Sequence, residues 1–289
     1  MIETGPTATE RQGNEALCLA TLRETDRDRY LACLLTPSEQ RAAVAALYAF
    51  NAELARVRDL VREPLPGEVR LQYWRDLLNG SAHGATAANP VAAELLRAIG
   101  DHNLPLAPLL AMVDARVFDL YDDPMETLSM FEGYAGETAS ALIQLTSLVV
   151  DPQLASENSE SAGHAGVAQA IAGSLLLLPI HQSRGQVYMP LDLLSAIGLD
   201  RQAFLDADVP RLEGVVEAFA GIGLDHLRKA RASAKLSRQL IPAYLPVSLV
   251  EPILKGAAAE PLRFLREDGR MAQWRRQLRM MMALWRQRF

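Results

Sequence analysis

Lysine is almost missing from this chain. Only Lys229, Lys235 and Lys255 occur, and arginine supplies 26 of the 29 basic residues. The skew reads as compositional bias, and the formal net charge is still −6. Neutralising nucleic-acid phosphates takes a basic surface, so the expected partners include no nucleic acid. Cysteine is scarce as well. Cys18 and Cys33 are too few for a disulfide framework, and their apolar helical surroundings suit small buried thiols in a reducing compartment. Long apolar runs are absent: the longest stretch, 171–180, is interrupted by Gly173, Ser174 and Pro179, which excludes a transmembrane helix of the usual ~18 residues or more. The first residues carry Glu3, Glu10 and Glu15 and have neither the basic-then-apolar order of a signal peptide nor the acid-poor character of a transit peptide. The expected location is the cytoplasm, rather than the mitochondrial matrix.

Alternating segments rich in β-branched residues are lacking too, so strands are not expected. What is present is helix after helix, in 289 residues of which 49% are hydrophobic and 22% charged. That is enough chain for a sizeable core. Residues 1–12 read as a disordered tail and 13–289 as one all-α domain, with no internal repeat and no long linker. Thr36-Pro37-Ser38-Glu39 reads as an N-cap, a first-turn proline and an early acid, opening a helix that runs to about Val57. Further helices are expected near 68–78, 90–100, 105–121, 125–150, 164–178 and 210–240. Loops are expected at 79–90, 151–163 and 179–190. The 164–178 helix is apolar almost all round and should be central.

Common catalytic signatures are missing: there is no phosphate-binding glycine loop, His-Glu-x-x-His, Cys-x-x-Cys or Gly-x-Ser-x-Gly. The histidines, His83, His102, His164, His181 and His226, are scattered, and no metal site is expected from them. Four clusters have polar chemistry. Asn51 to Asp59 contains Glu53, Arg56 and Asp59 at i,i+3 spacing, which an exposed ion-pair ladder explains equally well. Pro179 to Pro190 sets His181, Gln182, Ser183 and Arg184 directly after a buried helix, where a plain chain reversal competes with a site. Asp114, Asp119, Asp122 and Asp123 crowd a helix end, where turn duty accounts for them. The segment from Arg263 to Phe289 holds eight arginines, with Trp274, Leu278, Met281, Met282 and Trp285 at helical spacing. It suits peripheral contact with a membrane or partner, but the simpler expectation is that its apolar stripe packs on the core.

Taken in order, Ala46-Leu47-Tyr48-Ala49-Phe50, Leu71-Gln72-Tyr73-Trp74, Glu132-Gly133-Tyr134-Ala135-Gly136-Glu137-Thr138 and Arg184-Gly185-Gln186-Val187-Tyr188-Met189-Pro190 resemble the squalene and phytoene synthase family over roughly residues 25 to 285. The resemblance implies the all-α isoprenoid synthase fold, a single helical bundle with a central cavity. In active members two aspartate-rich motifs face each other and hold Mg²⁺ ions on a prenyl diphosphate. Carboxylates four apart share a helix face, and Mg²⁺ takes hard oxygen ligands as it neutralises the departing diphosphate. Here the first motif reads Ala55, Arg56, Val57, Arg58, Asp59, and the second places Leu177 and His181 where aspartates stand. Only Asp59 of the four paired positions keeps its carboxylate.

The replacements resemble a non-synthase branch of that family, one that includes an assembly factor of respiratory complex I. This implies a non-catalytic assembly or scaffold factor for NADH:quinone oxidoreductase, with complex I subunits or other assembly factors as partners and no cofactor. It also implies a cavity able to hold an isoprenoid or lipid tail, its polar end lined by Asn51, Glu53, Asp59, His181, Ser183, Arg184 and Tyr188. The basic last helix would touch the inner face of the cytoplasmic membrane. An alternative is an active Mg²⁺-dependent prenyltransferase joining two prenyl diphosphates, with a substitute metal site from Asp59, Glu53, Asp114 and Asp119. A third reading is a lipid-binding module without a partner enzyme.

Overall fold

Every regular element among the described residues is helical. The structure, a computed structural model, describes residues 8–81, 89–121, 123–206, 209–267 and 269–289; His83 and Asp122 lie outside them. The first helix, Ala8–Thr25, starts within the 1–12 stretch expected to be disordered. No described helix is long and apolar enough to cross a membrane.

The expected central helix is observed as Ser159–Leu176, with Ala162, Ala165, Ala168, Ile171 and Leu175 buried. It packs most extensively on Val209–Ser233, which in turn covers Val250–Ala259. Ser38–Ala55 packs on both Ala8–Thr25 and Pro90–His102, which also touch each other. Phe131 and Phe219, both fully buried, meet edge-on with ring centroids 5.1 Å apart. Each such side chain contributes about 1.5–3 kcal/mol relative to exposure.

One close approach is set by a glycine. The helix Leu128–Ala135 continues into Ala141–Val150 through a π-helical turn at Gly136–Ser140. The Ser140 hydroxyl donates to the Gly163 carbonyl at 2.8 Å, and a Cβ on Gly166 would overlap the Ser140 backbone. The widened turn and the missing side chain together let the two helices touch.

Several boundaries differ from expectation for local reasons. Thr36 does not cap: the helix starts at Ser38 with Pro37 in the capping position, while the Thr36 hydroxyl donates backward to the Ala32 carbonyl at 2.8 Å. The 151–163 segment is helical, because Asp151 caps Pro152–Glu157 by accepting from the Gln153 and Leu154 amides at 3.1 and 3.0 Å. Part of 179–190 is also helical, at Leu178–Ser183, before Gly185 turns the chain at φ 72°. The 105–121 helix ends at Ala115 and is followed by a 3₁₀ turn, Phe118–Leu120. The 210–240 helix ends at Ser233, where the Lys235 amide is captured by Asn158 Oδ1 at 2.6 Å.

The last helix, Gln273–Arg286, departs most. Its buried residues are Met280 and Ala283, which face the 3₁₀ segment Leu245–Leu249 and the helix Arg27–Leu35. Four of the five residues of the stripe expected on the core are exposed instead, Trp274 61%, Leu278 45%, Met281 49% and Trp285 80%, while Met282 is half-buried.

Candidate functional site

A 3₁₀ turn after Leu106–Ala115 carries Asp119 inward, where it is 7% exposed. Three groups converge on its carboxylate. Tyr134 donates from Leu128–Ala135 at 2.9 and 3.0 Å, Tyr188 donates at 2.9 Å, and Arg116 Nη1 donates at 3.0 Å. The same Arg116 nitrogen donates to the Tyr134 hydroxyl at 2.6 Å, and Nη2 reaches Asn51 Oδ1 at 3.5 Å. Burial opposes the Arg116 charge, but Tyr134 and Asp119 outweigh it and raise its pKa. Burial, with Asp119 alongside, pushes the Tyr188 hydroxyl up, and burial likewise raises that of Tyr134. Both tyrosines are therefore neutral donors at ordinary pH. A buried polar network satisfied in this way fixes geometry, and losing one member exposes the others to the full cost of desolvation.

His181 lies against this network, its ring 4.5 Å from that of Tyr188. Burial holds its pKa down at about 4, so it is uncharged near neutrality. Asp59, on the short helix Val57–Leu60, receives Arg184 Nη1 at 2.6 Å, both side chains being about half exposed. Arg56 terminates Ser38–Ala55 and pairs with Glu53 at 3.5 Å. This break in the helix separates Arg56 from Asp59, so the ladder inferred from i,i+3 spacing stops halfway.

The structure thus brings Asn51, His181 and Tyr188 together around Asp119, and Asp59 together with Arg184 in a half-exposed pair. Glu53 stays on the outer pair with Arg56, and Ser183 is exposed, its hydroxyl donating to the Ile180 carbonyl at 2.8 Å. Ala55 closes one helix and Leu177 joins two others. Asp114 is bound to Arg75 at 2.5 Å. The residues that sequence reasoning missed are Arg116 and Tyr134. The one usable signal was an arginine three before an aspartate, at the end of an apolar helix. A second polar chain runs from Glu132 to His226 at 3.1 Å and on to His164 at 3.0 Å, pairing two histidines 62 positions apart.

Between the helices beside His181, the space bordered by Tyr188, Met189, Phe204 and Phe219 is a narrow crevice without room for a water molecule. A prenyl chain enters it only by displacing those side chains. Cys18 and Cys33 are free and buried; burial pushes the Cys18 thiol up to about 12 and raises that of Cys33.

The described helices arrange as an isoprenoid-synthase-type bundle, and the chain belongs to the squalene/phytoene synthase family, whose model matches residues 22–281. A human protein, "NADH dehydrogenase (ubiquinone) complex I, assembly factor 6", is 34% identical over 246 residues, spanning 84% of this chain and 73% of that one. The rat protein of the same name is 35% identical over 240 residues, 82% of this chain and 72% of that one. Among solved structures, a dehydrosqualene synthase in complex with ligand superposes with a TM-score of 0.77 at 15% identity, over 96% of this chain and 97% of that one. Squalene synthase HpnC from Alicyclobacillus acidocaldarius superposes with a TM-score of 0.73 at 16% identity, over 89% and 97%. At these identities the synthases share the fold.

Proposed function

We propose that this protein is a non-catalytic assembly or scaffold factor for the NADH:quinone oxidoreductase, respiratory complex I. The observation that carries the reading is the state of the former metal-binding positions. A Mg²⁺–diphosphate clamp needs clustered oxygen donors that are free to coordinate. Ala55 and Leu177 offer none, and His181 offers a nitrogen that Mg²⁺ takes poorly. The remaining carboxylate, Asp59, is held by Arg184, and the nearest substitutes are engaged too: Glu53 by Arg56, Asp114 by Arg75 and Asp119 by Arg116 with two tyrosines. These donors do not fit the ion, because each carboxylate is already paired with an arginine.

The likeness to proteins named as complex I assembly factors supplies the positive side of the reading. In this reading the factor works from the cytoplasm, with peripheral contact to the inner face of the membrane. In this reading any isoprenoid or lipid tail is bound without metal, by opening the crevice beside His181 and Tyr188. The test is the amount of assembled NADH:quinone oxidoreductase in a strain lacking the gene, and a normal amount contradicts the role.

A further inference from the structure

We infer that the last helix and the arginine-lined cavity beside it form a docking face for anionic phospholipid, with a headgroup phosphate seated in the cavity and the tryptophan ridge at the headgroup–acyl boundary. The inference rests on the peripheral membrane contact proposed above and specifies its chemistry.

The ridge is made of Trp274, Leu278, Met281 and Trp285, one turn apart along Gln273–Arg286 and all exposed. Isolated exposed apolar residues are ordinary, but four in register on one helix face, two of them tryptophans, are not. Tryptophan favours the membrane interface because an apolar ring and a polar N–H suit the two sides of that boundary. Arg275 lies over the Trp274 ring at 5.2 Å, adding a cation at the ridge itself.

The cavity flanks this ridge. Its volume is about 620 Å³, and Arg231, Arg279, Arg286 and Arg288 line it together with one acid, Glu251. That size lies within the range of small-ligand sites. Arg279, Met282 and Arg286 follow the ridge around the helix by roughly 100° of turn, so Met282 marks the common border. The far wall is built by a reversal at Gln287 (φ 53°), which folds the chain back so that the Phe289 ring stacks on Tyr244 at 5.1 Å. Arg231 is already occupied, by the Phe289 main-chain oxygen at 2.8 Å and by Glu251 at 2.7 Å. Among the described residues Arg279, Arg286 and Arg288 have no acidic partner.

Charge complementarity selects the occupant. The chain as a whole is acidic, at −6, yet Arg286 and Arg288, which no acid holds among the described residues, stand at this one concavity beside Arg279, whose Nε donates to the Ser248 carbonyl at 3.4 Å. Guanidinium forks match phosphate oxygens. The neighbouring ridge supplies the apolar element that a soluble phosphate compound would leave uncovered. An anionic lipid surface satisfies both halves.

The test is co-sedimentation of the purified full chain with vesicles. One set is phosphatidylcholine alone, the other an equimolar mixture of phosphatidylcholine and phosphatidylglycerol. The wild type is expected to bind the mixed vesicles at least tenfold more tightly, and to weaken as salt rises. Arg286→Gln with Arg288→Gln is expected to remove most of that preference, with a loss of roughly tenfold or more. Trp274→Ser with Trp285→Ser is expected to reduce binding to both sets; these side chains are exposed, and an unchanged thermal melt verifies that the variant folds. Binding that ignores phosphatidylglycerol and the arginine pair, but is lost with the tryptophans, overturns the headgroup site and leaves membrane contact standing. No vesicle binding at all overturns both. Neither result touches the assembly role, which is read separately from complex I levels. Wild-type vesicle binding by the arginine variant, together with failed complex I assembly in cells carrying it, assigns the face to a protein partner and overturns the inference.

Discussion

Arg184 Nη1 lies 2.6 Å from Asp59 Oδ1, joining two segments 125 positions apart in sequence. In the reading proposed above, Asp59 is the one carboxylate left of the two aspartate-rich motifs. With both side chains about half exposed, such a pair contributes only about 0–1 kcal/mol to stability. The pair's importance therefore lies in what it occupies. If it replaces a metal clamp, purified protein supplied with farnesyl or geranylgeranyl diphosphate and Mg²⁺ releases no more pyrophosphate than without the ion. Mg²⁺-dependent release would reveal an active transferase.

The network behind the bridge is the stability-critical polar feature. Asp119→Ala leaves Arg116 buried without its counter-charge and is expected to cost about 3–5 kcal/mol. Tyr188→Phe removes a single donor and is expected to cost about 1 kcal/mol. Urea unfolding of the two variants measures the contrast. Equal, small losses would mean that the network is not a coupled unit.

His181 gives the fold a pH dependence of definite sign. Burial lowers its pKa from 6.5 to about 4, with Asp119 and Asp59 opposing and Arg184 assisting. The unfolded chain then binds the proton more readily than the native state. The stability contribution is complete above pH 6.5 and declines as pH falls toward about 4. Between pH 7 and pH 5 the wild type is expected to lose about 1–2 kcal/mol more than His181→Gln. Denaturation midpoints at the two pH values give the answer, and parallel losses would contradict it.

Gly166→Ala is expected to destabilise by about 1–3 kcal/mol or more, because the new methyl meets Ser140 backbone rather than a movable side chain. Gly163→Ala, three residues earlier with open space at its Cβ, is the control. A thermal shift of similar size in both would deny the close approach.

The fold class and family were legible from the sequence because they rest on local signals: helical periodicity, proline and glycine punctuation, and short motifs such as Arg184 to Pro190. The central position of the Ser159–Leu176 helix was also legible, from its apolar character on every face. Partner choice across the bundle was not. Nothing local distinguishes the buried Asp119 from a turn aspartate, or says that Asp59 turns to Arg184 and not to Arg56. The last helix misled for a related reason. Hydrophobic spacing identifies an apolar face but not what covers it, and the core here is closed by Met280 and Ala283 on a different side. The Thr36 cap failed because a threonine hydroxyl has two backbone choices, and the preceding helix took it.

The assembly role is tested most directly by the amount of intact NADH:quinone oxidoreductase in membranes of a strain from which the gene is deleted, resolved on native gels with in-gel NADH oxidation. The expected result is a marked loss of the assembled complex that the wild-type gene restores. Intact complex at the parental level in the deletion strain would contradict it.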